Sequence, residues 1–333
     1  MKAAVVVANE DVQYLEIPEP EVKPGYVKIK VHYSGICGSD IPRVLHNGVH
    51  FYPIVLGHEF SGDVVEIGEG VTKVKAGDRV SGAPLVPCMK CEDCQKGNYS
   101  LCKHYSFIGS REQGSNADYV VIPEQNAVVY DSSISYEQAA MFEPSTVALH
   151  GLLQNEYQGG QYVAVLGGGT IGMFTMQWAK IFGSRKVVVF DISEERLELA
   201  KRLGADAVIN TTKENYMQEA MALTGKKGYG YVFETAGQIP TMHMAFELAG
   251  NKANVCSYAM KLATPNWLGG EPVTAYAILN DCVLQKDAPE DQVKAFEALE
   301  KRMSAEDLRK AQNLNGADAI EVIKTRRVYL TGK

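Results

Sequence analysis

The chain of 333 residues has no apolar stretch that reaches the ~18 residues a membrane span requires. It also lacks a basic excess. Lysine and arginine number 33 against 40 aspartates and glutamates, and the net charge of −7 gives no electrostatic grip on nucleic acid or anionic lipid. No solenoid-type repeat and no low-complexity segment is present. The N-terminal run MKAAVVVANEDVQY turns acidic too soon for a secretory leader, and its alternation predicts a first strand instead. Cysteines number seven. Clustered cysteines without a leader predict thiolates held on metal in a reducing compartment, so a soluble cytoplasmic protein is expected. A hydrophobic content of 46% supplies sizeable cores, and the length allows about two domains.

Four of the seven cysteines fall within fifteen residues, at Cys88, Cys91, Cys94 and Cys102. The spacing C-x2-C-x2-C-x7-C is compact enough to set four sulfurs around one ion, and zinc favours such a closed tetrahedron of thiolates. The alternative, buried apolar cysteines, fits poorly with the charged neighbours Lys90, Glu92, Asp93 and Lys96. A metal would stand in for the core that so small a lobe lacks.

Short strand-like runs punctuated by glycine and proline fill the first half: 27–33, 62–68, 78–84 and 117–123. They predict an irregular β-rich unit over 1–150, with the metal lobe at 88–102. A helical pattern covers 135–155. From 161–166 onward, strands alternate with helices: VAVL, a helix from Ile171 to Phe182, VVVFD, a helix from Glu194 to Leu203, AVIN, a helix near 214–224, and YVFET. Such alternation predicts a doubly wound parallel sheet over 151–285. Helices are expected at 288–310 and 316–324 and a last strand at RRVYL; 258–285 fits no element.

Gly167-Gly168-Gly169-Thr170-Ile171-Gly172 is a G-x-G-x-x-G run placed after a strand and opening a helix. Gly167 makes the tight turn, Gly169 admits the backbone to a pyrophosphate, and Gly172 lets helix and strand approach. The helix start at Thr170 and Ile171 offers N–H groups to the anion. Asp191 ends the next strand, nineteen residues beyond Gly172. Its carboxylate can accept both adenosine ribose hydroxyls and repels a 2′-phosphate, so NAD is expected over NADP. The simpler reading of Asp191 is an N-cap. Arg196, one turn on, is either an adenine or ribose contact or a solvated helix residue.

A second donor set starts at Cys37 on a glycine-flanked turn and continues at Gly57-His58-Glu59. One cysteine and one histidine suit a catalytic zinc that keeps a position for substrate. No cysteine lies between Cys102 and Cys256, so Glu143, in the run FEP, is the chosen third ligand. Glu59 is either a further ligand or a neighbour outside the ligand set. A lone histidine or glutamate is more often an ordinary polar side chain; the pairing of Cys37 with His58 argues against that here.

These residues resemble the zinc-dependent medium-chain dehydrogenase/reductase family. The pattern G-H-E-x2-G-x5-G-x2-V is met from Gly57 to Val71, with the cysteine lobe and the nucleotide turn in the family's order. The runs CGSDIPRVLHNGVHFYPIVLGHEFSG, KHYSFIGSR and FEPSTVALHG are similar to polyol dehydrogenases. The resemblance covers residues 1–258. It implies a GroES-like catalytic domain joined to a Rossmann domain, a return of 286–333 to the catalytic domain, two zincs per chain (one catalytic, one structural) and NAD. It implies hydride transfer from a secondary alcohol of a phosphorylated polyol, of the galactitol 1-phosphate kind. A sorbitol-like polyol or diol dehydrogenase is the alternative, as is a non-catalytic zinc- and NAD-binding homologue. A homodimer or homotetramer is expected.

By the same resemblance, Ser39 takes the alcohol proton toward solvent and Asp40 orients His58. Relatives often carry a histidine two residues after that aspartate. Pro42 stands there in this chain, followed by Arg43. Arg43 and Arg111 are candidates for a substrate phosphate, because guanidinium matches phosphate in a fork; otherwise both are surface residues.

Overall fold

The computed structural model describes residues 1–258 and 327–330. The chain divides into two compact units, Met1–Thr146 and Val147–Lys333. The helices expected at 288–310 and 316–324 and the unplaced stretch 259–285 lie outside the described residues, as does most of the expected return over 286–333.

The first unit is built from short antiparallel strands. In chain order these are β1 (Lys2–Ala8), β2 (Asp11–Glu16), β3 (Tyr26–Gly35), β4 (Ile54–Val55), β5 (Glu59–Ile67), β6 (Arg79–Gly82), β7 (Leu85–Val86), β8 (Ser106–Phe107), β9 (Tyr119–Pro123) and β10 (Ala127–Val129). The main sheet has the order β10-β6-β5-β3-β9. In β3, Val27 and Ile29 point into the core with Phe60, Val64, Val80 and Ile122. Lys28 faces outward and pairs across the ladder with Glu66 at 2.7 Å. This alternation is what a half-covered sheet demands. Register breaks near Lys28/Ile29 and Val31/Tyr33 bend β3 against β5 and curl the sheet. The two-stranded ladder β7–β8 pairs Leu85 with Phe107 and Val86 with Ser106, and so closes the base of the cysteine lobe.

The helical pattern over 135–155 divides in two, Tyr136–Ala140 and Phe142–Gln154. Pro144 has no N–H to give to a carbonyl one turn earlier, so it is tolerated only in the first turn of a new helix. Ser135 and Gln138 cap the first piece reciprocally.

The second unit is a six-stranded sheet of β11 (Tyr162–Leu166), β12 (Lys186–Asp191), β13 (Ala207–Asn210), β14 (Tyr229–Glu234), β15 (Ala249–Ser257) and β16 (Arg327–Leu330). All strands run parallel in the order β13-β12-β11-β14-β15-β16. Helices Thr170–Ile181, Glu194–Arg202, Tyr216–Leu223 and Ile239–Leu248 connect the strands. Alternate residues of one strand feed opposite cores: Val163, Val165, Val187 and Val189 on one face, Ala164, Leu166, Val188 and Phe190 on the other. Burial on both faces explains the unbroken apolar runs in the sequence. The strand order reverses between β11 and β14, where the glycine-rich turn leaves β11.

Candidate metal and dinucleotide sites

The four lobe cysteines converge, with all their sulfurs within 4.8 Å of one another. Cys88 Sγ lies 3.9 Å from Cys94 Sγ, and Cys91 Sγ lies 3.9 Å from Cys102 Sγ. A disulfide would need about 2.05 Å. Four sulfurs about 2.3 Å from a central zinc stand about 3.8 Å apart along each tetrahedral edge, so the lobe fits the ion in both donor type and size. Backbone N–H groups of Lys90 and Cys91 donate to Cys88 Sγ at 3.5 and 3.4 Å. They pull the Cys88 thiol down to about 6. Burial pushes Cys94 up to about 12.

The second cluster comprises Cys37, His58 and Glu59, whose ligand atoms also lie within 4.8 Å of one another. Cys37 follows the end of β3, and Glu59 opens β5 directly opposite Gly35. A side chain at Gly35 would place its Cβ 2.5 Å from Glu59 Oε2, so that glycine makes room for the carboxylate. Gly57 precedes His58 with φ of +99°, a left-handed conformation that turns the imidazole inward, where it is 1% exposed. A thiol, an imidazole and a carboxylate form the mixed donor set, three in number, that a catalytic zinc takes. Glu143 is buried in the first turn of Phe142–Gln154. Among the described residues it is not part of this triplet; the glutamate brought to Cys37 and His58 is Glu59.

Ser39 donates its hydroxyl to Cys37 Sγ at 3.3 Å. Asp40 is buried; one carboxylate oxygen accepts the Cys37 N–H at 3.3 Å and the other lies 3.9 Å from His58 Nδ1. Arg43 Nη1 donates to both Ser39 Oγ (3.3 Å) and Asp40 Oδ1 (3.2 Å). The guanidinium is thus joined to the residues that approach Cys37 and His58. Arg111 stacks on Tyr105 at 4.7 Å and donates to its hydroxyl at 3.4 Å.

A feature without a recognisable sequence signal supports this cluster. The segment 107–116 hydrogen-bonds to the residues that lead into His58: Gly114, Ser115 and Asn116 donate to the carbonyls of Val55, Gly57 and Leu56. Gly109 and Gly114 lie so close to the Gly57 backbone that a Cβ at either would overlap its carbonyl.

In the second unit Gly167 adopts φ of +105° and donates its N–H to Phe190 O at 2.8 Å. Gly169 caps the helix Thr170–Ile181 without a side-chain bond, and a Cβ built on it meets open space. A Cβ at Gly172 would overlap the Gly167 carbonyl, which is the close helix–strand approach expected of that glycine. Asp191 is buried. Its Oδ2 accepts the Gly168 N–H at 2.6 Å and its Oδ1 accepts the Ser193 N–H at 2.8 Å. Ser193, and not Asp191, is the N-cap of Glu194–Arg202. Arg196 Nη1 stands 3.7 Å from Asp191. Glu234, at the end of β14, is fully buried and raised above the usual carboxylate range by that burial. It accepts the N–H groups of Ala236 and Gly237 and the hydroxyls of Thr241 and Ser257. Thr235 donates to Leu166 O and Gly167 O, both at 2.9 Å, and so ties that loop to the glycine turn.

Residues 23–132 match the alcohol dehydrogenase GroES-like domain, and residues 170–279 match the zinc-binding dehydrogenase domain. Galactitol 1-phosphate 5-dehydrogenase of Escherichia coli strain K12 is 39% identical over 256 residues, which cover 77% of this chain and 74% of that protein. Sorbitol dehydrogenase of Bacillus subtilis is 33% identical over 250 residues, covering 74% and 71% respectively. The crystal structure of galactitol-1-phosphate dehydrogenase from Escherichia coli superposes with a TM-score of 0.77 at 32% identity, covering all of this chain and 83% of that one.

Proposed function

The chain belongs to the zinc-dependent alcohol dehydrogenase family, and on that premise we propose that it oxidises a secondary alcohol of a polyol phosphate, with NAD as the hydride acceptor. The carrying observation is the convergence of Cys37, His58 and Glu59 within 4.8 Å, in a chain that also presents a glycine turn backed by a buried aspartate. Zinc bound there supplies Lewis-acid polarisation of the substrate hydroxyl. Cys37, His58 and Glu59 would hold it, with Glu143 as an alternative carboxylate. Asp40 fixes the imidazole, and Ser39 offers the hydroxyl through which the alcohol proton leaves toward solvent. Cys88, Cys91, Cys94 and Cys102 would hold the second zinc.

NAD is favoured over NADP by the charge at Asp191, which repels a 2′-phosphate. Arg196, near that carboxylate, would flank the adenosine ribose. The phosphate on the substrate rests on the similarity to the galactitol 1-phosphate enzyme. An unphosphorylated polyol is the second reading. It is favoured by the engagement of Arg43 with Ser39 and Asp40, and of Arg111 with Tyr105, which leaves both guanidiniums with partners inside the protein.

The test is a panel of polyols and polyol phosphates with NAD and with NADP, read as reduced-cofactor absorbance on protein whose zinc has been counted. Turnover of a polyol phosphate with NAD supports the proposal. Equal turnover of the free polyol, with unchanged KM in Arg43→Ala and Arg111→Ala, selects the second reading. Normal NAD binding with two zincs and no turnover of any polyol would leave a binding protein.

A further inference from the structure

The cysteine lobe and the Cys37–His58–Glu59 cluster belong to the same unit, and Phe107 stands between them in the chain's hydrogen-bonded frame. Its backbone pairs with Leu85 in the β7–β8 ladder at the neck of the lobe. Its carbonyl accepts the N–H groups of Ser110, Arg111 and Glu112, which folds the chain back toward Gly57. Its ring meets the His58 imidazole edge to face, with centroids 5.4 Å apart and planes at 71°. An imidazole that ligates a metal must hold one ring orientation. Asp40 approaches one ring atom of His58, and an aromatic edge against the ring restricts rotation about the remaining bond.

We propose that Phe107 is a positioning residue for His58, one that anchors the reactive metal cluster to the neck of the cysteine lobe. This rests on reading Cys37, His58 and Glu59 as that cluster. Physically, a single ladder of two residue pairs is too short to hold itself, and a metal in the lobe would close the loop above it. The 107–116 segment then carries that constraint to Gly57 and its neighbour His58. Neither the lobe cysteines nor the reactive ligands include Phe107, so its replacement leaves both donor sets chemically intact.

The experiment uses the full chain, stripped of metal and reloaded with cobalt(II) against a competing chelator. Ligand-field bands separate the four-thiolate site from the mixed thiolate, imidazole and carboxylate site. Phe107→Leu keeps an apolar side chain but removes the aromatic edge. It is expected to lower cobalt affinity at the mixed site by about tenfold or more, the range seen when a partner outside the ligand set is lost. Its mixed-site band shifts, while the four-thiolate band fills as in the wild type. Phe107→Tyr, which retains the ring, is expected to restore affinity to within about threefold of wild type. Wild-type cobalt affinity and an unshifted mixed-site band in Phe107→Leu would overturn the inference. A wild-type chain showing no mixed-site band at all would instead sink the underlying reading of the cluster.

Discussion

Gly35 contributes to the Cys37–His58–Glu59 cluster by what it leaves out. It sits opposite Glu59 across β3 and β5, and any side chain there would press on the carboxylate. Gly35→Ala is expected to displace Glu59 and release metal from the mixed site while the lobe keeps its own. Elemental analysis after dialysis against a weak chelator checks this, with zinc falling from about two to about one per chain. Asp191 holds the Gly168 N–H, and in the proposed function its charge would also address the ribose. Asp191→Ala removes hydrogen bonds to a charged acceptor, each worth about 1.5–3 kcal/mol. The KM for NAD is therefore expected to rise by about tenfold or more, and discrimination against NADP to weaken. Initial rates with both cofactors test it, and an unchanged NAD to NADP ratio would contradict the role.

At the scale of elements, the lobe makes a pH prediction with a definite sign. Without metal, backbone N–H groups hold Cys88 at about 6, and burial holds Cys94 at about 12. Near neutral pH, Cys88 is then largely thiolate while Cys94 keeps its proton. A metal that needs four thiolates must expel that proton, so affinity rises with pH and falls on acidification. Calorimetry in buffers of different ionisation enthalpy reads the protons released. A release of none on zinc binding to the stripped lobe at pH 7 would refute the donor assignment.

Long elements with strong periodicity were legible in the sequence. The strand 161–166 appears as β11, and the helix from Ile171 to Phe182 as Thr170–Ile181. The pieces that position the reactive cluster were not. β4, β7 and β8 have two residues each, too few for any period to show. The helix Ile239–Leu248 and β15 carry weak patterns of their own and are fixed by packing on β14. Metal-donor types and their spacing could be read directly, since chemistry restricts them to few residues. The approach of Glu59 to Cys37 and His58 could not be read from spacing, because it depends on a cross-strand pairing with a glycine.

For the whole molecule, both candidate donor clusters come from the first unit and the glycine turn from the second. Removal of metal is therefore expected to leave ADP-ribose affinity within about threefold of that of the loaded protein, because the groups that would hold that ligand are hydrogen-bonded within their own sheet and its loops. Calorimetric titration before and after chelation checks this, and a loss beyond about tenfold would show that the two units depend on each other. The helix Phe142–Gln154 spans the division at Thr146/Val147. It carries Glu143 at its start and, near its end, Leu152 in the core under the parallel sheet. Anyone splicing the first unit onto a foreign second unit should treat that rod as indivisible. A junction inside it would separate a carboxylate from the packing that holds its own helix, whereas a crossover before Ser135 or beyond Gln158 transfers it whole.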